Sequence, residues 1–143
     1  MKENPVMFAS TRLITTDVDR LVAFYELVLG VAPSRPAPVF AEFVTPSATL
    51  AIGDVRTVPV FAPGEAEAAA NRSAILEFLV DDVDAEFARL TSAGIESVTA
   101  PALMPWGNRV FFVRDPDGDL VGLFAPETDE AIARFAGRNG VSA

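Results

Sequence analysis

The chain has 143 residues, half of them hydrophobic, and carries 20 acidic against 11 basic side chains for a net charge of −9. That apolar content supports a packed domain and excludes a disordered chain, while the acidity argues against nucleic acid or an anionic membrane as partner. With no cysteine and no histidine, disulfides, thiolate chemistry, the commonest metal ligand and the commonest general base are all excluded.

No apolar run reaches the ~18 residues of a membrane span, and the opening MKENPVMFAS lacks an apolar h-region. The expectation is therefore a cytoplasmic protein. Residues 10–31, STRLITTDVDRLVAFYELVLGV, read as a short strand and then an amphipathic helix. Thr16 is the expected N-cap, with Asp19 three residues on as an acidic capping box. Val18, Leu21, Val22, Tyr25, Val28 and Leu29 form one apolar face, and Gly30 stands where a left-handed cap would stop the helix.

Extended, proline-broken residues 31–38 follow, then strands over FAEFVT (40–45) and TLAIG (49–53). Residues 55–72 read as a linker, made of a short extended piece, a Pro-Gly break and one helical turn. From residue 73 the pattern repeats. SAILEFLVDDVDAEFARLTSAGI (73–95) matches the first stretch at an offset of 65 residues, one fewer at the glycine. Asp81 and Asp84 take the places of Thr16 and Asp19, Val83, Phe87 and Leu90 form a narrower stripe, and Gly94 answers Gly30.

After Gly94 come extended residues 95–105, a strand over NRVFFVRD (108–115), a DPDG turn and a last strand, LVGLFAP (120–126). In that turn Pro116 presets φ and Gly118 accepts positive φ. Residues 127–140 suggest a helix with an acidic first turn and with Ile132 and Phe135 turned inward. The reading is one α+β domain over residues 1–143. It divides into a first βαβββ module (8–54), a linker (55–72), a second module (73–126) and a C-terminal helix and tail (127–143).

The motifs TTDVDRLVAFYELVLG (15–30), LVDDVDAEFARLTSAGI (79–95) and PWGNRVFFVRDPDGDLVGLF (105–124) resemble the vicinal oxygen chelate superfamily. It groups glyoxalase I, extradiol dioxygenases, epimerases and bleomycin-resistance proteins. The resemblance implies two modules forming a U-shaped mixed sheet around a cleft, and homodimers are common among such proteins. In metal-dependent relatives a ligand stands near the start of each module's first strand and another on each last strand. Those positions here are Ser10 and Ile75, and Gly122 with either Ala51 or Ile52. Gly122 falls where the family's enzymes carry glutamate. None of these residues except Ser10 can ligate, and Ser10 is a poor ligand, so neither metal nor cofactor is expected.

Strand alternation then turns Phe8, Ser10, Arg12 and Ile14, with Ile75, Glu77 and Leu79, toward the implied cleft. Arg12 and Glu77 are equivalent residues whose strands the resemblance sets side by side, which predicts an ion pair on the cleft floor. Phe40, Phe43, Phe61 and Phe124 are the candidate aromatic walls, with either Phe111 or Phe112 beside them. Trp106, between Pro105 and Gly107, is the candidate stacking platform, and Glu42 a candidate anionic contact. These eight residues, Trp106, Arg12, Glu77, Phe40, Glu42, Phe43, Phe61 and Phe124, form the expected ligand site, with no catalytic residue assigned.

The resemblance and the charge together suggest a metal-independent binder of a flat, cationic small molecule such as an antibiotic. The alternative is an enzyme of the same superfamily, a lyase, epimerase or dioxygenase, with an atypical or metal-free site. There Glu77 would act as base with Arg12 or Tyr25 assisting. A metabolite-binding part of a larger assembly is a third possibility.

Overall fold

A computed structural model of the protein describes residues 3–136. The chain forms two compact units that divide between Ala68 and Ala69. The first contains β1 (Ser10–Thr15), α1 (Val18–Leu29), β2 (Ser34–Ala37), β3 (Phe40–Val44) and β4 (Thr49–Asp54), then a 3₁₀ turn (Val55–Thr57) running into α2 (Val58–Phe61). The second contains β5 (Ile75–Leu79), α3 (Val83–Ser92), β6 (Ala102–Leu103), β7 (Asn108–Arg114), β8 (Leu120–Pro126) and α4 (Asp129–Phe135). Residues 137–140 of the expected C-terminal helix, and the tail after them, lie outside the described residues.

Each unit has a four-stranded mixed sheet, in the orders β1-β4-β3-β2 and β5-β8-β7-β6. The first strand runs parallel to the last, and the other pairs are antiparallel. A parallel pair needs a long crossover, and here the helix and the two following strands provide it. The duplicated βαβββ topology expected from the repeat is present in both units, together with the C-terminal helix.

Why these segments take these forms follows from the pattern of burial. In α1, Val18, Leu21, Val22, Tyr25 and Val28 are buried on one face. Alternation on the strands places Ala41, Phe43, Leu50 and Ile52 beneath them, all buried. In the second unit Val83 and Leu90 of α3 are buried, as are Phe111, Val113, Val121 and Leu123 of the sheet. The Phe87 ring meets Phe111 edge-on at 5.3 Å. Each fully buried Leu, Ile or Phe stabilises the fold by about 1.5–3 kcal/mol, so these two faces supply most of what holds each unit together.

The helix starts differ from expectation by one residue. Asp17, not Thr16, caps α1 by accepting from the Arg20 amide at 3.1 Å, and Asp82, not Asp81, caps α3 by accepting from Ala85 at 3.0 Å. In the first unit Thr15 is fully buried and its hydroxyl accepts from the Asp17 amide, whereas the second unit makes the same start with Val80 in that place. Both helices therefore begin one residue later than expected, with the Asp17 and Asp82 carboxylates at the helix starts. Asp19 and Asp84 are then released from capping. Asp19 pairs with Arg35 at 2.6 Å, and Asp84 takes a two-pronged contact from Arg109 at 2.8 and 3.0 Å. Each unit therefore ties its helix to its own sheet through an arginine and an equivalent aspartate. The Arg109 hydrogen bonds hold the Asp84 carboxyl below its ordinary value.

Gly30 ends α1 with φ +69°, and Gly94 follows α3 with φ +91°, as the two glycine stops predict. In the DPDG turn the organising side chain is Asp115, whose carboxylate accepts from the amides of Asp117 and Asp119 at 2.9 Å each. The segment after β4 was expected to be extended. It coils instead, because Asp54 accepts from the Arg56 amide while the Thr57 hydroxyl donates to the Asp54 carbonyl. In α4 the fully buried residue is Ala131, while Ile132 and Phe135 are half-buried. No helix among the described residues is long and apolar enough to cross a membrane.

Candidate functional site

The sheet faces turned away from α1 and α3 carry the candidate positions. In the first unit Arg12 lies opposite Ala51, which lies opposite Glu42. In the second, Glu77 lies opposite Gly122, which lies opposite Phe112. Arg12 and Glu77 are thus equivalent, and the counterpart of Gly122 is Ala51. Ile52 faces the other way and is fully buried in the core.

Gly122 is not an empty place in the sheet. A Cβ built there would stand 2.8 Å from Cε1 of Phe112 and 3.2 Å from its Cδ1. The Phe112 ring fills the space where a longer side chain would project. This also resolves the pair left open by the sequence: Phe111 packs under α3, and Phe112 lies on the face of Gly122.

Arg12 sits among rings. Its guanidinium carbon is 4.8 Å from the centre of Phe61 and 5.9 Å from that of Phe40. The Arg12 stem runs beside Gly53, where a Cβ would make ordinary contacts at 3.6 Å from the Arg12 Cδ and 3.4 Å from the Ile14 Cδ1. Phe40 and Glu42 are half-buried on this face, and Phe61 on α2 is exposed. Arg12, Phe40 and Phe61 are therefore brought together, with Glu42 two strands across.

The other candidates are placed differently. Phe43 is 1% exposed and packs beneath α1, so it belongs to the core and not to the face of Phe40 and Glu42. Alternation along β3 requires this, since Phe43 is one residue from Glu42. Phe124 shares the face of Gly122 but is covered by α4, its ring 5.3 Å from that of Phe135. Glu77 is exposed on β5. Trp106 is 59% exposed in the turn between β6 and β7, and its carbonyl accepts from Arg134. The residue missed as a site candidate in its own right is Phe112. The signal available was a glycine opposite one of two consecutive phenylalanines.

The positions that the resemblance assigns to metal ligands do not fit an ion. Ser10, Ala51, Ile75 and Gly122 offer one hydroxyl among them, and an aromatic ring stands over the last. Among the described residues no three Asp, Glu, His or Cys side chains gather where they could hold a metal. A catalytic divalent site ordinarily needs about three protein ligands.

Paired βαβββ units, each a mixed sheet with one helix-covered face and one face carrying the candidate side chains, define an α+β fold of duplicated modules. Residues 7–123 match the model of the Glyoxalase/Bleomycin resistance protein/Dioxygenase superfamily, and the chain belongs to that family. Among curated proteins nothing matches. Several solved structures are similar. A glyoxalase/bleomycin resistance protein/dioxygenase from Nocardioides is 28% identical, with TM-score 0.73 over 90% of this chain and 88% of that one. A family enzyme from Burkholderia phytofirmans PsJN shares the fold at 18% identity, TM-score 0.74, over 85% of this chain and 99% of that one. A lactoylglutathione lyase from Agrobacterium tumefaciens shares it at 23% identity, TM-score 0.68, over 86% and 96% respectively.

Proposed function

We propose that this chain is a metal-independent binding protein that holds a small flat molecule by ring contacts and shape, as a homodimer. An antibiotic is the kind of ligand that the family suggests. The observation that supports this best is the Phe112 ring over Gly122, which puts aromatic surface where a metal-binding carboxylate would otherwise project. Phe40 and Phe61 add ring surface in the first unit, and the exposed Trp106 is suited to stacking. No bond in the ligand is made or broken.

The test combines metal analysis of the purified protein with a thermal-shift screen of flat aromatics of both charges, bleomycin-type glycopeptides included. A ligand at 100 times its Kd adds about 2.7 kcal/mol of stability. Expected are hits in metal-depleted protein and their loss in Trp106→Ala. A tightly held transition metal accompanied by turnover of a bound compound overturns the reading in favour of a lyase, epimerase or dioxygenase. Light scattering checks the dimer.

A further inference from the structure

Acidic side chains outnumber basic ones in this chain, and most of the described ion pairs use arginine as a clamp: Arg35 on Asp19, Arg56 on Asp54, Arg89 on Glu86 and Arg109 on Asp84. Arg12 is handled differently. It is exposed, its stem runs over Gly53, and its guanidinium lies over Phe61 and near Phe40. A guanidinium against a ring is held by its face, and this leaves the N–H donors in its plane free. Those donors form a fork that matches a planar carboxylate in two parallel hydrogen bonds.

We propose that Arg12 is the anchor for an oxyanion on the ligand, and that the ligand is a flat aromatic carboxylate whose ring lies beside Phe40 and Phe61. This rests on the binding reading above and adds the sign of the ligand, which the net charge of −9 alone would put the other way. Glu42 narrows the class further. It stands on the same face, across Ala51 from Arg12, and its negative charge opposes a dianion such as a phosphate monoester more strongly than a monoanion. The preferred ligand is a monoanion.

The experiment is calorimetric titration of the full chain with benzoate, 2-naphthoate, 2-naphthamide, 2-naphthamidine and 2-naphthyl phosphate. It is repeated on Arg12→Gln, Arg12→Lys and Phe61→Leu, each checked for an unchanged far-ultraviolet spectrum. The expected result is 2-naphthoate binding at least about tenfold tighter than the amide, consistent with a charge-assisted pair. That preference should vanish in Arg12→Gln and weaken in Phe61→Leu. Arg12→Lys, which keeps the charge without the planar fork, should retain weakened carboxylate binding and keeps the test decisive if the glutamine variant misfolds. Equal or tighter binding of the amide or amidine, no binding by either carboxylate, or a carboxylate preference surviving in Arg12→Gln overturns the assignment. Tighter binding of the phosphate reassigns the anion and overturns the monoanion claim. Metal-free binding in which the amidine equals or exceeds the carboxylate would sink only the role of Arg12, whereas a bound metal with turnover would sink the binding reading itself.

Discussion

The ring of Phe112 lies across β7 and β8 on the α-carbon of Gly122, its Cε1 only 2.8 Å from where a Cβ would stand. Any side chain at 122 must displace that ring. Gly122→Ala should therefore cost about 1–2 kcal/mol in chemical denaturation, although alanine suits a strand better than glycine does. In a Phe112→Leu background the same change should cost nothing or stabilise. Additive effects of the two substitutions would show that the ring does not fill the site.

Gly107 is the tighter case. It has φ +95°, and a Cβ would overlap the Thr128 hydroxyl and stand 2.9 Å from the Ala131 Cβ. Its carbonyl also accepts from the amides of Glu127 and Thr128, which docks the β6–β7 turn onto the start of α4. Gly107→Ala combines backbone strain with overpacking and should lower stability by about 3 kcal/mol. A melting temperature within a degree of the parent would refute this.

Asn71 closes the start of the second unit. Its side chain accepts from the Ala74 amide and donates to the Ala74 carbonyl and to the buried Asp119, each at 2.9 Å. Asn71→Ala removes all three bonds and takes a donor from a buried carboxylate, for an expected loss of about 2 kcal/mol. Asn71→Asp should be no better, since it sets a second carboxylate against Asp119. Urea denaturation of the two variants measures both.

Two carboxyl groups make stability depend on acid. Hydrogen bonds from Arg109 to Asp84 and from Arg56 to Asp54 hold both below the ordinary value of 3.8. A carboxyl whose folded value is depressed contributes stability that is complete above its unfolded value and is lost as pH falls through the folded value. The parent should therefore lose stability on going below about pH 4 faster than the Asp84→Asn, Asp54→Asn double variant does. Parallel curves down to pH 2.5, by urea denaturation at each pH, would contradict this.

The repeat made most of the fold legible. Two helical stripes, two glycine stops and the DPDG turn each have one good structural solution, and all were found. The N-caps stand one residue later than the pattern suggests because Thr16 and Asp17, like Asp81 and Asp82, are all competent caps, and local sequence does not choose between neighbours. Phe43 reads from sequence as a site residue as readily as Phe40 because FAEFVT has a phenylalanine on each parity, and only the sheet says which parity meets α1. Arg12 and Phe61 lie 49 residues apart, and no local pattern announces that a short helix after β4 returns a ring to β1. The clamp from Arg109 to Asp84 is equally silent in sequence, since neither residue differs in type from its solvated neighbours.

Every strand ladder among the described residues is completed within its own half: Ser10 finds Thr49, and Ile75 finds Leu120. A nascent polypeptide leaving the ribosome therefore has all the backbone partners of its first sheet before the second half is translated. Loop closure grows costlier with chain length, and unpaired strands are the hazard of slow β assembly. The tandem arrangement shortens both the search and the period during which the apolar β4 segment waits uncovered.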